Sequence, residues 1–262
     1  MLTPAEYCLI NGQSFEAVPA RLYRAKSNAH ARLLAQADWL IRDKSNGKFL
    51  ACYSNDQVHF FERVKQQIAI QEGIASLLVA QQRAGLLRPL TDTSSILEHL
   101  GIDAKHYAEQ HQLELMAEPY VLEFAGFDRY KRPLWLEFHT KHAWLRMCKV
   151  ATAEGIYLDA ISGYRSCQYQ KGIFDRKLAR DQTILDILKV NAAPGFSEHH
   201  SGRALDIGTR SEPAAEQSFE HTIAFQWLNQ YAGDFGFVLS YPRDNVHGIN
   251  YEPWHWCWHA SV

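Results

Sequence analysis

The chain has no paired CxxC motif, no run of like charge, no internal repeat, no low-complexity segment and no long apolar stretch. Each absence removes a class of protein. Five cysteines (Cys8, Cys52, Cys148, Cys167 and Cys257) are odd in number and scattered, which fits free thiols better than a disulfide framework. No segment approaches the roughly 18 consecutive apolar residues of a membrane-spanning helix. A formal charge of −2, with no lysine- or arginine-rich run, gives no general electrostatic drive toward nucleic acid or anionic lipid. Met1 to Cys8 shows neither a basic start nor an apolar core, so it does not read as a signal peptide. The expectation is a cytoplasmic protein, a trimmed export signal being the competing explanation.

What is present is an ordinary globular composition, 47% hydrophobic and 21% charged over 262 residues. Residues 1–115 read as mostly helical. Val58 to Leu87 forms a long amphipathic stretch in which Phe61, Val64, Ile68, Ile70, Ile74, Leu77, Leu78 and Ala80 recur at helical spacing. Pro89 ends it. Thr93-Ser94-Ser95 caps a short helix running to Gly101, and Asp103 to Gln112 suits another. From Glu118 the texture becomes mixed. Strands are expected at Tyr120–Phe124, Ile156–Ile161 and Ala204–Ile207, and a further pair at Phe237–Tyr241 and Ile249–Glu252. Helices are expected over Phe138–Glu154, Gln168–Arg180, Thr183–Asn191 and Phe219–Tyr231. The fold class is therefore α+β: a small antiparallel sheet with flanking helices, residues 118–262, preceded by a helical region, residues 1–117.

Two C-terminal segments carry chemistry. Ser197-Glu198-His199-His200-Ser201-Gly202-Arg203-Ala204-Leu205-Asp206 offers a histidine and an aspartate, and Glu252-Pro253-Trp254-His255 offers a glutamate and a histidine. A hydrolytic zinc needs about three protein ligands, an open position for water and a nearby base. His199, Asp206 and His255 can hold one such ion, with Glu252 as the base. Gly202 permits the turn that a loop histidine and a strand aspartate need in order to converge. His200 is set aside, because neighbours in an extended segment point to opposite sides. The competing reading makes the first segment a helix cap with a surface histidine pair and the second a core-packing terminal strand. Cys257 and His259 are further metal-competent residues, but crowding into one extended segment disfavours closed coordination by them. Arg165, in Ser162-Gly163-Tyr164-Arg165-Ser166, emerges after a strand where it can fork around a carboxylate or an oxyanion. Its alternative is a surface ion pair.

These segments resemble the VanY-type D-alanyl-D-alanine carboxypeptidases, zinc peptidases grouped with VanX and hedgehog-like domains. The pattern S-x-H-x-x-G-x-A-x-D is matched by Ser197, His199, Gly202, Ala204 and Asp206, E-P-W-H by Glu252 to His255, and S-G-Y-R-S by Ser162 to Ser166, with Tyr169-Gln170 at the family's Y-Q. The resemblance covers roughly residues 120–258. It implies one zinc ion on His199, Asp206 and His255, Glu252 as general base, Arg165 steadying the carbonyl or oxyanion, and Gln170, Ser197 and Tyr241 lining a pocket for the terminal D-alanine. The sequence departs from the pattern at Ser240, where relatives often carry arginine, and at Trp256-Cys257-Trp258-His259, which replaces an aromatic-arginine-tyrosine run.

The expected activity is removal of a C-terminal D-Ala from a peptidoglycan-derived peptide. A cytoplasmic location favours the L,D bond of tetrapeptides returned by wall recycling. The alternatives are D,D-carboxypeptidase or D,D-dipeptidase activity. A zinc-binding module without catalysis would be expected to lose its base, yet Glu252 is present.

Overall fold

The computed structural model describes residues 7–25, 28–61, 67–90, 93–210 and 212–260. The chain groups into two compact units, residues 1–88 with 118–124 and residues 89–117 with 125–262.

The first unit is built mainly of strands, not helices. β1 (Cys8–Asn11), β2 (Phe15–Pro19), β3 (Trp39–Asp43), β4 (Phe49–Ser54) and β5 (Gln57–Phe60) form an antiparallel meander, and β6 (Val121–Phe127) adds to the free edge of β1. The turns explain the topology. Asn55 and Asp56, both at positive φ (49° and 59°), join β4 to β5, and Gly47 (φ 68°) closes the turn between β3 and β4. Helices α1 (Asn28–Gln36) and α2 (Ile68–Ala80) complete the unit, α2 packing on β1 and β2 through Ile74, Leu77 and Ala80. Gly73 lets α2 approach closely: a Cβ there would lie 2.5 Å from the Phe15 ring. The helix expected over Val58–Leu87 is thus a correction. Val58 belongs to β5, and the helix begins at Ile68. Val64 lies outside the described residues.

A charged cluster sits inside this unit. Lys44 Nζ, with its side chain fully buried, donates to Glu118 Oε2 at 2.6 Å, Asn11 Oδ1 at 2.7 Å and the Gly12 carbonyl at 3.1 Å, while Arg88 donates to the same Glu118 oxygen at 2.9 Å. Burial pushes the Lys44 ammonium below its ordinary value, and Glu118 opposes that shift. Breaking such a pair strands a charge in a poorly solvating interior, at about 3–5 kcal/mol. Glu118→Gln is therefore expected to lower the unfolding free energy by about that much in a denaturant titration. The folded ammonium already titrates below its unfolded counterpart of about 10.4. The unfolded chain thus binds more protons as that value is approached, and the deficit should shrink with rising pH. A loss under about 1 kcal/mol at neutral pH would show that Glu118 does not hold the cluster.

The second unit carries a four-stranded antiparallel sheet, ordered β10 (Phe237–Leu239), β11 (His255–Trp258), β9 (Ala204–Gly208), β8 (Asp159–Ser162). Helices α5 (Phe138–Ala153) and α8 (Ile223–Tyr231) contribute Trp144, Met147, Ala151, Trp227 and Leu228 to a core shared with Leu205, Ile207, Phe237 and Trp256. β7 (Pro133–Leu136) lies beside the end of β6. α3 (Thr93–His99), α4 (Ala104–His111), α6 (Cys167–Leu178) and α7 (Ile184–Leu188) form a second core around Leu97, Tyr107, Phe174, Ile187 and Phe196. Asp103 caps α4 as its side chain accepts from His106 N, and Gln112 ends it in the left-handed region. The strand expected at Ile249–Glu252 is replaced by β11. Only one bond of that pairing survives, from Glu252 N to the Tyr241 carbonyl at 3.0 Å.

Candidate metal centre and active site

Three elements converge on one point. The chain leaves β8, passes Arg165 and enters α6 under a Ser166 cap that accepts from Tyr169 N. It later turns through a 3-10 segment, Glu198–Ser201, which Gly202 (φ 71°) closes before β9. β9 carries Asp206, directly opposite His255 on β11.

His199 is 3% exposed, and its Nδ1 lies 2.8 Å from the Gly163 carbonyl. A carbonyl can only accept, so that nitrogen holds the proton and Nε2 turns its lone pair inward, 3.4 Å from Asp206 Oδ1. His255 Nδ1 lies 3.2 Å from the same oxygen, and Nε2 faces Glu198 Oε2 at 2.8 Å. One ligand atom from each of His199, Asp206 and His255 lies within 4.8 Å of the others, and all three residues are buried. Two imidazole nitrogens and a carboxylate oxygen form a donor set suited to zinc, with room for a fourth ligand. The contacts to the Gly163 carbonyl and to Glu198 fix the orientations of the two rings, as outer partners do for histidines that bind a metal.

The same contacts set the charges of the metal-free cluster. Burial depresses His199, keeping it neutral. Burial would raise Asp206, but His199 and His255 outweigh it and hold the carboxyl well below its usual range. Burial would likewise depress His255, yet its bonds to Asp206 and Glu198 push it up to about 10. Glu198 resists burial through its bond with His255 and falls to about 2. Glu252 goes the other way. Burial, reinforced by Asp206 and Glu198, lifts it to about 7, against His255 and Arg165. Its Oε2 lies 3.9 Å from His255 Nδ1, at the edge of the cluster.

A cavity of about 560 Å³ opens beside these groups, lined by His199, Asp206, Glu252 and His255 together with Arg165, Gln170, Ser197, Tyr241 and Trp254. All eight residues singled out from the sequence thus meet there. Gln170 is already engaged: its Oε1 accepts from Arg165 at 2.9 Å and its Nε2 donates to the Ala192 carbonyl at 3.0 Å, a clamp on the guanidinium. Arg165 also reaches to 3.8 Å from Asp206 Oδ2. His200 stays out of the cluster, but for a different reason than an extended chain. It sits fully buried in the 3-10 turn, where Nδ1 donates to the Arg165 carbonyl at 2.6 Å and Nε2 accepts from Gly195 N at 3.0 Å. Glu198 is the residue the sequence reading passed over. It fell at a variable position of the motif, and its partner His255 is 57 residues away.

The result is a buried two-histidine, one-aspartate cluster that could hold a metal ion, with the Glu252 carboxylate at the rim of the same cavity. Residues 134–261 match the model of the VanY family, D-alanyl-D-alanine carboxypeptidase. Three relatives illustrate the range. YodJ of Bacillus subtilis, provisionally named a carboxypeptidase, is 37% identical over 42% of this chain and 41% of its own. VanXYC of Enterococcus gallinarum, a bifunctional D-Ala-D-Ala dipeptidase and carboxypeptidase, is 29% identical over 56% of this chain and 78% of its own. The solved structure of the LdcB LD-carboxypeptidase is 33% identical, covering 47% of this chain and 59% of that one, with a TM-score of 0.45. The chain therefore spans well under half of the B. subtilis relative and most of VanXYC. No described helix is long and apolar enough to cross a membrane.

Proposed function

We propose that this chain is a zinc carboxypeptidase that removes a C-terminal D-Ala from peptidoglycan-derived peptides. The observation that carries the reading is the convergence of His199, Asp206 and His255 on one buried point, with Glu252 at the rim of the same cavity. His199 Nε2, Asp206 and His255 Nδ1 would hold one zinc ion. When bound, zinc would polarise the scissile carbonyl and lower the pKa of a water toward about 7.

The chain's own residues account for the rest. Glu252, held near neutrality by burial, accepts a proton from the attacking water and returns it to the leaving amine. Arg165, clamped by Gln170, presents a planar cation to the developing oxyanion. Ser197 and Tyr241 shape the wall for the terminal D-Ala, and Trp254 limits water. Glu198 positions His255.

The finer reading is cleavage of the L,D bond in a tetrapeptide, which would place the enzyme in cytoplasmic wall recycling. The residue before that bond is a diamino acid with a free ammonium, whereas in a pentapeptide it is an uncharged D-Ala. The cavity wall includes the exposed carboxylate of Glu216, beside Gln217, a complement to such an ammonium. A tenfold preference needs only about 1.4 kcal/mol. Defined tetra- and pentapeptides competing in one tube with added zinc, read by mass spectrometry, test this. Tripeptide should form from tetrapeptide faster than pentapeptide is consumed. Pentapeptide converted to tetrapeptide with no tripeptide would assign the D,D bond, and hydrolysis of free D-Ala-D-Ala, added to the same tube, to two D-Ala would assign a dipeptidase.

A further inference from the structure

β11 carries more metal-binding side chains than the first site uses. Along the strand His255 and Cys257 alternate onto one face while Trp256 and Trp258 take the other, and His259 follows, its N–H bonded to the Gly236 carbonyl. Over that face lies the 3-10 turn with Glu198. Its carboxylate bonds to His255 on one side, and the Cys257 thiol, whose hydrogen bond goes to the Trp258 carbonyl at 3.9 Å, lies within 4.8 Å of it on the other. One ligand atom from each of Glu198, Cys257 and His259 lies within 4.8 Å of the others. Cys257 is buried, His259 is exposed, and so the cluster has a solvent side by which an ion could enter. Neither Cys257 nor His259 serves the reaction proposed above. Crowding within one extended segment would prevent the strand alone from surrounding an ion, but Glu198 supplies a ligand from a different element.

We propose that Glu198, Cys257 and His259 form a second, thiolate-containing site for a borderline-soft divalent cation such as zinc, and that filling it draws Glu198 away from His255. Thiolate, imidazole and carboxylate together suit zinc, and three protein ligands leave a position for water. Metal–ligand lengths of about 2.0–2.3 Å require these donors to close by less than about 1 Å. On binding, the thiol proton leaves to solvent and the sulfur takes the metal in its place. Because Glu198 is shared, the second ion loosens an outer partner of the first. Outer partners of metal ligands are typically worth about 10–100-fold in affinity or activity. Excess zinc should therefore inhibit. The inhibition presumes the activity proposed above, whereas the second site itself does not.

Cobalt(II) titration of the full chain separates the two sites, since only the second contains sulfur. The first equivalent should enter His199, Asp206 and His255 without a thiolate-to-cobalt charge-transfer band, and a second should bring that band in. Cys257→Ser should abolish the band while retaining the first equivalent. His259→Ala, at an exposed position that leaves the fold alone, should weaken the second equivalent at least tenfold. In peptide hydrolysis, zinc beyond one equivalent should lower kcat/KM about 10–100-fold in the wild type but not in Cys257→Ser. Absence of a sulfur band at saturating cobalt, or a band that persists in Cys257→Ser, would overturn the site. A band with no inhibition in an active enzyme would overturn the link through Glu198. An inactive enzyme that still shows the band would instead count against the proposed reaction alone.

Discussion

Glu252→Gln is expected to keep its metal and lose turnover by about 10²–10⁴-fold, the usual worth of general acid–base catalysis. Glutamine preserves the shape of the side chain but cannot accept the proton. Wild-type kcat/KM should rise with pH as Glu252 ionises. Its carboxyl is lifted to about 7 by burial and by the neighbouring Asp206 and Glu198 charges. Bound zinc favours the carboxylate, so the acid limb should fall at or below about 7 and vanish in the variant. Stability should move differently. A carboxyl whose folded pKa lies above its unfolded value holds a proton that the unfolded chain has already released, so the folded state weakens as pH rises through roughly 4.5–7. Removing that charge should leave the melting temperature at pH 7.5 unchanged or higher, the signature of a residue kept for chemistry rather than for folding. Near-normal turnover in a metal-loaded variant would eliminate Glu252 as the base.

The site was legible because its chemistry is written locally. His199 and Asp206 are seven residues apart across one glycine turn, and Glu252 and His255 three apart across a proline. Antiparallel pairing of β9 with β11 then sets Asp206 opposite His255. Glu198 was not legible, because nothing in one dimension says that a 3-10 turn aims its carboxylate at the far ring nitrogen of His255. The N-terminal sheet failed for another reason. β1 and β2 are buried along their whole length, so they lack the alternation that marks a half-exposed strand. The apolar residues of β5 and α2, read through as one stretch, then passed for a single helical pattern. The signals that did exist were the turns. Asn46-Gly47 and Asn55-Asp56 stand between runs of β-branched and aromatic residues, and each makes the reversal such pairs favour. Conversely, the short helix α4 was readable from Asp103, since a cap is local chemistry too, whereas Thr93, read as part of a cap, is the first residue of α3 itself.

His199→Ala is expected to cost more than the loss of the base, because it removes a ligand and with it the ion. His199 is neutral and buried, with its Nδ1 proton committed to the Gly163 carbonyl, so Nε2 has no role in the described contacts beyond the cluster. Two remaining ligands leave zinc exposed to competition from water and buffer, and activity should drop by more than the about 10²–10⁴-fold attributed to a general base. The fold should survive, and melting curves can show this while also reporting the metal. A ligand present at about 1,000 times its Kd stabilises by about 4.1 kcal/mol, so zinc should raise the melting temperature of the wild type and not through this site in the variant. The wild-type affinity should also depend on pH through His255. Its ring, sandwiched between Asp206 and Glu198, titrates at about 10, and zinc must displace a proton from it. Apparent affinity should therefore climb about tenfold per pH unit across the neutral range. Without metal the sign reverses: the protonated ring's contribution to stability is complete below about 6.5 and is lost as pH rises through about 10. Zinc-chelator competition at several pH values, with a melt beside each, measures both. A folded His199→Ala protein that keeps one tightly bound zinc and gives no thiolate–cobalt band would place the ion elsewhere and end the assignment.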